Sequence, residues 1–399
     1  MTLNSCNAVA AEWSITPTLG FGGQYSDNIF LSATNPNNVT GNTITPEVKF
    51  NRINPNSAAS IGARAQFTQY SDDNIDDADV QYLTFNSRYR AQQRSTWRIN
   101  GTFRRDTTIT TARNVDELID NSVIDEITGE PIDIDIDTDT GLVEVEVRRN
   151  RLNLDPSWQY TLTERTSLQF GYRLLDVYYA NAEGTDLVDY RRHSLDATLS
   201  RKLTQNDNLG MKIVLAQYKA PDTDTASDNY SLYTNYGHIF QQDLKGDISL
   251  GYRDTSTTTG AVDDNSGGVV LNIGINKKQT KLTSYNISLK RDINASGFGR
   301  VIQSDQINVR VNTRLTPRLS ATLRANAFEN NTLEGDITSV DRVYYSVEPS
   351  LRWLMTRDWA IDGSYRYRRQ KRELDSDPAD SNSIYVSLSY TWPKIAASR

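Results

Sequence analysis

Arginine is the residue type whose spacing points most directly to chemistry in this sequence. It recurs at alternate positions between apolar residues, as at Arg310, which stands between Val309 and Val311. Because alternate side chains of an extended chain share one face, these guanidinium groups would gather on the polar face of a sheet. Rings of arginine around a water-filled passage favour anions. The candidate residues on these polar faces are Arg64, Arg88, Arg90, Arg98, Arg104, Arg173, Arg310, Arg314, Arg324, Arg352, Arg366 and Arg368.

Acidic residues are fewer on the same faces. The clearest are Glu47, Asp196, Asp247, Glu348 and Asp362. The surplus of arginine predicts a wall that prefers anions and suits an acidic polymer. Arginines that pair with these acids across neighbouring strands would instead only stiffen the wall. The sequence leaves both interpretations open.

Residues for catalysis or metal binding are scarce. The chain has one Cys and two His. His193 stands beside Ser194, but neighbours on a strand point to opposite faces, so they cannot converge as a nucleophile and its base. His238 lies near a short turn, where we expect an interfacial residue. We therefore expect no catalytic residue, no cofactor and no metal.

One acidic segment, residues 132–139, places four Asp on one face of an extended stretch. Calcium binding is conceivable, because hard cations take several carboxylate oxygens. The position of Gly141 does not fit an EF-hand loop. We interpret the segment as a solvated acidic loop.

The arginines lie in stretches of about 10–13 residues that alternate apolar and polar side chains, as transmembrane β-strands do. Short connections separate half of these stretches. They lie at 54–56, 92–93, 163–165, 205–207, 241–243, 277–279, 316–318 and 356–358. Long polar connections separate the others. They lie near 26–42, 71–78, 106–142, 181–189, 219–229, 254–266, 293–302, 329–341 and 372–382.

Alternation of short and long connections is typical of a transmembrane β-barrel with short periplasmic turns and long outer loops. The pattern predicts an all-β protein: an antiparallel up-and-down barrel of about eighteen strands, with both termini at the periplasmic end. A first strand at Trp13–Tyr25 would pair with a last strand at Ile384–Trp392 and remove the free sheet edges. We predict a residual signal or disordered tail at 1–12, the barrel at 13–392 and a periplasmic tail at 393–399.

The two faces of each strand can be assigned. In the last strand Ile384, Val386 and Leu388 fall on one side and Ser387 and Ser389 on the other. One Arg at the midplane of a lipid face costs about 2–4 kcal/mol. The arginine faces must therefore line a polar interior, and the apolar faces must meet lipid. Tryptophans near the short turns would form an interfacial girdle. They are Trp158, Trp353, Trp359 and Trp392.

Composition agrees with this architecture. Hydrophobic residues make up 37% of the 399 residues, and Tyr is abundant at 21. No stretch approaches the roughly 20 apolar residues of a transmembrane helix. The net charge of −7 argues against a nucleic-acid partner. The wall carries the arginines, so the long loops hold most of the acidic excess.

The opening stretch carries a recognisable motif. Trp13 is followed four residues later by Pro17, then by alternating apolar residues and by Tyr25-Ser26-Asp27-Asn28-Ile29. This motif, with the repeated hairpins, resembles the putative β-barrel porin 2 family, which is found with exopolysaccharide export systems. The resemblance implies a polysaccharide secretion barrel in the outer membrane of a Gram-negative bacterium. It also implies a periplasmic polysaccharide-export protein as partner, besides outer-membrane lipid and lipopolysaccharide.

The sequence therefore predicts a passive pore that is not an enzyme and whose arginine-rich lumen passes an acidic polysaccharide or another large polar polymer. A general diffusion porin for small solutes is one alternative, and it would conduct steadily. A barrel enzyme acting on lipid or glycan is another. A third is an adhesion or scaffold barrel with a filled lumen. The loop at 106–142 is long enough to fold inward and plug the pore.

Overall fold

A computed structural model describes residues 11–108, 146–278, 282–332, 341–373 and 376–398. The chain forms one antiparallel sheet in which each strand of the barrel pairs with its neighbours in sequence. The strands are β1 (Glu12–Ser26), β2 (Val39–Asn54), β3 (Ser57–Tyr70), β4 (Ala78–Gln92), β5 (Ser95–Thr107), β6 (Arg148–Thr163), β7 (Thr166–Ala180), β8 (Tyr190–Lys202), β9 (Asp207–Ala220), β10 (Thr225–Gln241), β11 (Leu244–Thr259), β12 (Val262–Lys278), β13 (Thr283–Ala295), β14 (Val301–Arg314), β15 (Leu319–Thr332), β16 (Arg342–Leu354), β17 (Trp359–Arg372), β18 (Ala379–Thr391) and β19 (Ile395–Ser398).

Strands β1 and β18 close the barrel. Their register runs from Thr18 opposite Thr391 to Ser26 opposite Ser383. The predicted pairing of first and last strand is confirmed, and so is the barrel of eighteen antiparallel strands. Closure leaves every barrel strand paired on both sides, which removes the exposed edges of an open sheet.

The predicted tail at 393–399 contains a short strand. β19 runs antiparallel to the start of β1, with Ile395 opposite Ile15. The Lys394 ammonium lies 2.9 Å from a carboxylate oxygen of Glu12. β19 thus follows β18 along the same side of β1. It pairs with the first residues of β1, which β18 does not reach.

The two ends of the barrel differ. Seven of the eight predicted short turns lie at one end, called here the turn end, together with both described termini. The eighth, at 277–279, lies partly outside the described residues. The opposite end, called here the loop end, holds the other connections. Two of the predicted long connections were wrong in extent. The segment 254–266 is mostly strand, with a tight turn at Gly260 (φ 59°), because its run of Thr favours extended structure. The segment 219–229 likewise contains only a short connection, 221–224.

The outer wall is the predicted apolar face. Ile384, Val386, Leu199 and Met211 are among its exposed side chains. Aromatic clusters mark the turn end of this wall, as predicted for the tryptophans. Trp158 stacks on Phe170 there with ring centroids 5.9 Å apart. Trp359, Tyr390 and Trp392 form a second cluster.

Helices of the length and hydropathy needed to span a bilayer do not occur among the residues that the structure describes.

Candidate functional site: the arginine-lined lumen

All the candidate arginines point inward. On each strand the arginines and the inward acids alternate with exposed apolar neighbours. Leu323 is next to Arg324, and Val347 is next to Glu348. Five of them line one cavity at the closing seam: Arg64, Arg324, Arg352, Arg366 and Arg368. The strand period thus places the whole predicted set in the lumen, as the alternation requires.

Several arginines pair with the predicted acids in the lumen. Arg324 Nη1 donates to Glu348 Oε1 at 3.1 Å, and Arg366 Nε donates to Glu348 Oε2 at 2.5 Å. Arg352 lies 3.4 Å from Asp362. One buried carboxylate therefore holds two guanidinium groups, and the cluster keeps a positive excess.

A second cluster joins Arg104 to residues that the sequence reasoning missed. Asp106 is fully buried and pairs with Arg104. It also accepts two hydrogen bonds of 3.2 Å from Arg149. Asp155, also missed, accepts a 2.6 Å bond from Arg173. Asp106 is the first residue of the segment interpreted as loop 106–142, and Arg149 lies seven residues beyond its end, at the start of β6.

Within the described strands, arginines face each other directly across neighbouring strands at four places. The directly opposed pairs are Arg88 with Arg98, Arg104 with Arg151, Arg310 with Arg324, and Arg342 with Arg372. Like charges in this relation destabilise a sheet. Arg151, Arg342 and Arg372 were not among the predicted residues.

The first connection of the loop end, residues 27–38, folds into the lumen. Gln370 Nε2 donates to the Leu31 carbonyl at 2.9 Å. Arg368 Nη2 lies 3.4 Å from the carbonyl oxygens of Asn28 and Ile29. The Leu31 side chain packs with buried residues of β15, β16 and β18. The inner wall of β17 therefore anchors this loop.

The opening motif of the sequence builds the start of this loop. Asp27 accepts two 2.7 Å bonds from the Asn382 backbone and side chain. The Asn28 amide donates to the carbonyls of Ser32 (2.8 Å) and Asp380 (3.0 Å). Ile29 is buried in an apolar cluster with residues of β2, β3 and β4. The motif thus turns the chain inward as it leaves β1.

A second in-folded connection crosses the lumen. Tyr218 on β9 donates its hydroxyl hydrogen bond to the Ser296 carbonyl at 2.8 Å, and the Val188 backbone N–H donates to Gly297 at 2.7 Å. These contacts join β7–β9 to the connection between β13 and β14, although three strands separate them around the wall. The buried apolar cluster around them includes Val177. The loop half of the lumen is therefore partly filled.

The cavity at the seam, called here the seam cavity, has a volume of about 630 Å³. Inward side chains of β1–β3 and β15–β18 line it. Hydroxyl groups are frequent among them, including Thr18, Thr322, Ser383, Ser387 and Ser389. Six cationic side chains and three carboxylates also line it, so its net charge is +3.

The two histidines lie on the outer wall. His193 Nδ1 is 2.7 Å from the Tyr172 hydroxyl, whereas Ser194 points to the lumen. His238 Nδ1 is 2.6 Å from Asp207 at the turn end, where its ring also contacts Phe240. These contacts fit interfacial residues, and the geometry separates His193 from Ser194 as predicted.

Acidic groups outside the strands have displaced pKa values, and Glu146 and Asp72 show the two opposite directions. Burial raises the pKa of Glu146, just before β6, from 4.5 to about 6. Hydrogen bonds from Asn74 and Asn37 lower the pKa of Asp72 below its ordinary 3.8. The acidic segment at 132–139, and most of the loop at 106–142, lie outside the described residues, so their interpretation remains a prediction.

Comparison with solved structures finds similarity to outer-membrane proteins. OpdQ of Pseudomonas aeruginosa is 11% identical over 96% of this chain and 99% of its own, with a TM-score of 0.46. OpdK of the same organism is 12% identical over 95% and 99%, with a TM-score of 0.45. FauA of Bordetella pertussis, the alcaligin outer membrane receptor, is 8% identical over 94% and 76%, with a TM-score of 0.41.

No curated protein matches the sequence. The family model of putative beta-barrel porin 2 matches residues 216–391, from the end of β9 to the end of β18. The opening motif at 13–30 lies outside the matched part. The predicted resemblance is nevertheless confirmed over this second half of the barrel. The closed sheet with its apolar outer wall has the architecture of a membrane-spanning β-barrel, and its residues 216–391 have the sequence features of the putative beta-barrel porin 2 family.

Proposed function

We propose that the protein is a passive, loop-gated conduit for an acidic polysaccharide across the outer membrane. The observation that carries the proposal is the set of directly opposed arginines in the lumen, such as Arg88 facing Arg98 and Arg310 facing Arg324. Such pairs cost stability in an isolated sheet. A passing polyanion would offset that cost while it occupies the lumen, and charged rings of this sign favour anions in a pore.

The ion pairs of the wall do not remove this preference. Glu348 and Asp106 are each shared between two arginines. The wall therefore carries more positive charge than its carboxylates compensate, and the stiffening interpretation accounts for only part of the arginines.

A gated conduit is favoured over a general diffusion porin by the in-folded loops. A diffusion porin conducts steadily, whereas residues 27–38 here are anchored to the inner wall at Arg368 and Gln370. The barrel enzyme loses support, because His193 and Ser194 point to opposite sides of the wall.

The selectivity test is the reversal potential of single channels in planar bilayers under a salt gradient. We expect anion preference in the wild type and a shift toward zero in the double variant Arg88→Gln and Arg98→Gln. The matched control is Arg105→Gln, because Arg105 lies next to Arg104 on β5 but points to the outer wall. A wild-type pore that prefers cations would overturn the proposal.

We also propose that the turn end faces the periplasm, where a polysaccharide-export protein would deliver the polymer and supply the directionality. Lipopolysaccharide and other outer-membrane lipids would surround the apolar wall. Epitope tags test the orientation. A tag at the Gly260 turn should bind antibody on intact cells, and a tag in the turn at 316–318 should bind only after the outer membrane is permeabilised. The opposite pattern would reverse the assignment.

A further inference from the structure

Arg368 stands at the border between the seam cavity and the in-folded loop. Its side chain is 5% exposed and lines the upper part of the cavity beside Ile29. Three of its contacts go to neutral acceptors: the carbonyls of Asn28 and Ile29, both at 3.4 Å, and the Ser381 hydroxyl at 3.1 Å. One guanidinium group therefore touches both the cavity and the loop.

The contacts of Arg368 with the loop are weak. Donor–acceptor distances of 3.4 Å exceed the usual 2.7–3.2 Å range for N–H···O bonds. A carboxylate binds a guanidinium through charge-assisted bonds that are about twice as strong as neutral ones, and it can do so with two parallel bonds. An anion that reaches Arg368 from the cavity would therefore compete successfully with the loop carbonyls.

The rest of the cavity defines the class of anion. Its net charge of +3 calls for a negatively charged ligand, and its carboxylates are already held by cations, with Lys49 3.3 Å from Glu47 and Arg352 3.4 Å from Asp362. Its hydroxyl-rich wall offers both donors and acceptors, which suits the hydroxyl groups of a sugar ring. The volume of about 630 Å³ admits a short oligosaccharide.

We propose that the seam cavity binds carboxylate-bearing sugar residues, and that Arg368 releases the Asp27–Leu31 segment when it binds their carboxylate. Binding of the cargo thereby opens the segment that closes the pore. The segment is called here the latch. This inference rests on the proposed function, since it assigns the cargo class and the regulation of the same lumen.

Binding is tested by titrating the full-length protein in detergent with tetragalacturonate in a calorimeter. Maltotetraose, which lacks carboxylates, is the matched neutral probe. We expect saturable binding of tetragalacturonate only, and a loss of affinity of about tenfold or more in Arg368→Gln, as for removal of a charge-assisted bond. The control Lys371→Gln changes a cation on the outer face of β17 and should bind as the wild type does. Equal binding of both sugars, or no binding of tetragalacturonate, would overturn the site.

Opening of the latch is tested through the accessibility of residue 32. Ser32 is 6% exposed in the closed form, and Cys6 is the one native cysteine. In a Cys6→Ser background, the thiol introduced by Ser32→Cys should react slowly with a maleimide. Tetragalacturonate should accelerate the reaction about tenfold, the size of shift open to a minor open state, and maltotetraose should not. With Arg368→Gln added, the thiol should react fast without ligand and gain nothing from it.

The outcomes separate this inference from the proposed function. Tetragalacturonate that binds without changing the reactivity of the thiol would remove the latch mechanism. An anion-preferring pore that neither binds tetragalacturonate nor responds to it would leave the conduit intact and remove both the site and the latch. A cation-preferring pore would remove the proposed function itself.

Discussion

The two halves of the lumen are built from the same strands but differ in physical character. In the loop half, the inward side chains Val177, Tyr218 and Asn330 are each 1% exposed. In the turn half, the side chains of Arg173 and Arg352 are 54% and 41% exposed, although they pair with carboxylates. The loop half therefore resembles a protein core, and the turn half resembles a wetted wall.

This difference would let a barrel of uniform alternation divide its tasks by height. Under the proposed function, the turn half, with its exposed arginines, sets the charge that a solute meets. The loop half, with apolar clusters built on in-folded loops, then sets whether the solute can pass. Selectivity and gating can then be altered separately, and the predictions below test the difference between the two halves.

The largest effect is expected from removing nearly all of the in-folded connection 27–38, which contains the latch. Deletion of residues 28–37, with Gly-Gly as a bridge, should raise the open fraction of single channels by roughly ten- to a thousandfold, because a minor open state is usually populated at 0.1–10%. Single-channel recording in planar bilayers measures it. Shortening the exposed turn around Gly260 is the control and should leave gating unchanged. Unchanged gating in the latch deletion would mean that residues 27–38 do not close the pore.

A positive charge placed at either of two heights on the inner face of β7 should show that the two halves of the lumen differ in hydration. Val177→Arg buries a guanidinium in the apolar cluster and should cost about 5 kcal/mol of unfolding free energy, from overpacking and desolvation. Ser167→Arg lies on the same face of the same strand in the turn half, beside water, and should change stability by less than about 0.5 kcal/mol. Urea unfolding in lipid vesicles measures both. Similar losses for the two variants would contradict the difference in hydration.

A buried and a partly exposed carboxylate of the lumen should also differ. Glu348→Gln leaves Arg324 and Arg366 buried without their shared anion, so we expect a loss of about 3–5 kcal/mol. Asp362→Asn breaks the partly exposed pair with Arg352 and should cost less than about 1 kcal/mol. Thermal unfolding of the folded barrel, followed by its mobility on gels, ranks them. A larger loss for Asp362→Asn would show that the seam cavity is drier than its exposed side chains indicate.

The sequence predicted the wall of the barrel better than it predicted the segments that fill the lumen. Period-two alternation determines which face each arginine occupies, so their inward positions could be predicted. The filling of the lumen depends on contacts between distant segments, such as Leu31 with Phe328 or Tyr218 with Ser296, which no local pattern encodes. Arg253 and Arg342 were not predicted because each adjoins a segment interpreted as loop.

The smallest expected effect concerns two acids at the loop end. Burial raises the pKa of Glu146, whereas hydrogen bonds lower the pKa of Asp72. Burial raises the pKa of Glu146 to about 6, so the folded state holds this proton more tightly than the unfolded state does. Ionised Glu146 therefore lowers stability fully above pH 6 and not at all below about pH 4.5. Glu146→Gln should stabilise the barrel at pH 7 by at most about 2 kcal/mol, less after solvent screening, and should have no effect at pH 4.

Asp72 provides the matched opposite case on an exposed loop. Its lowered pKa means that its ionised form favours the folded state, with a contribution that is present above its unfolded pKa and is lost as the pH falls through the folded one. Asp72→Asn should therefore destabilise the barrel at neutral pH and lose that effect in acid. Urea midpoints of both variants between pH 2 and pH 8 measure the two slopes, since the contribution of Asp72 changes only below about pH 4. If the stability change of both variants had pH slopes of the same sign, Glu146 would be as well hydrated as Asp72. The buried region of the lumen would then not reach the start of β6.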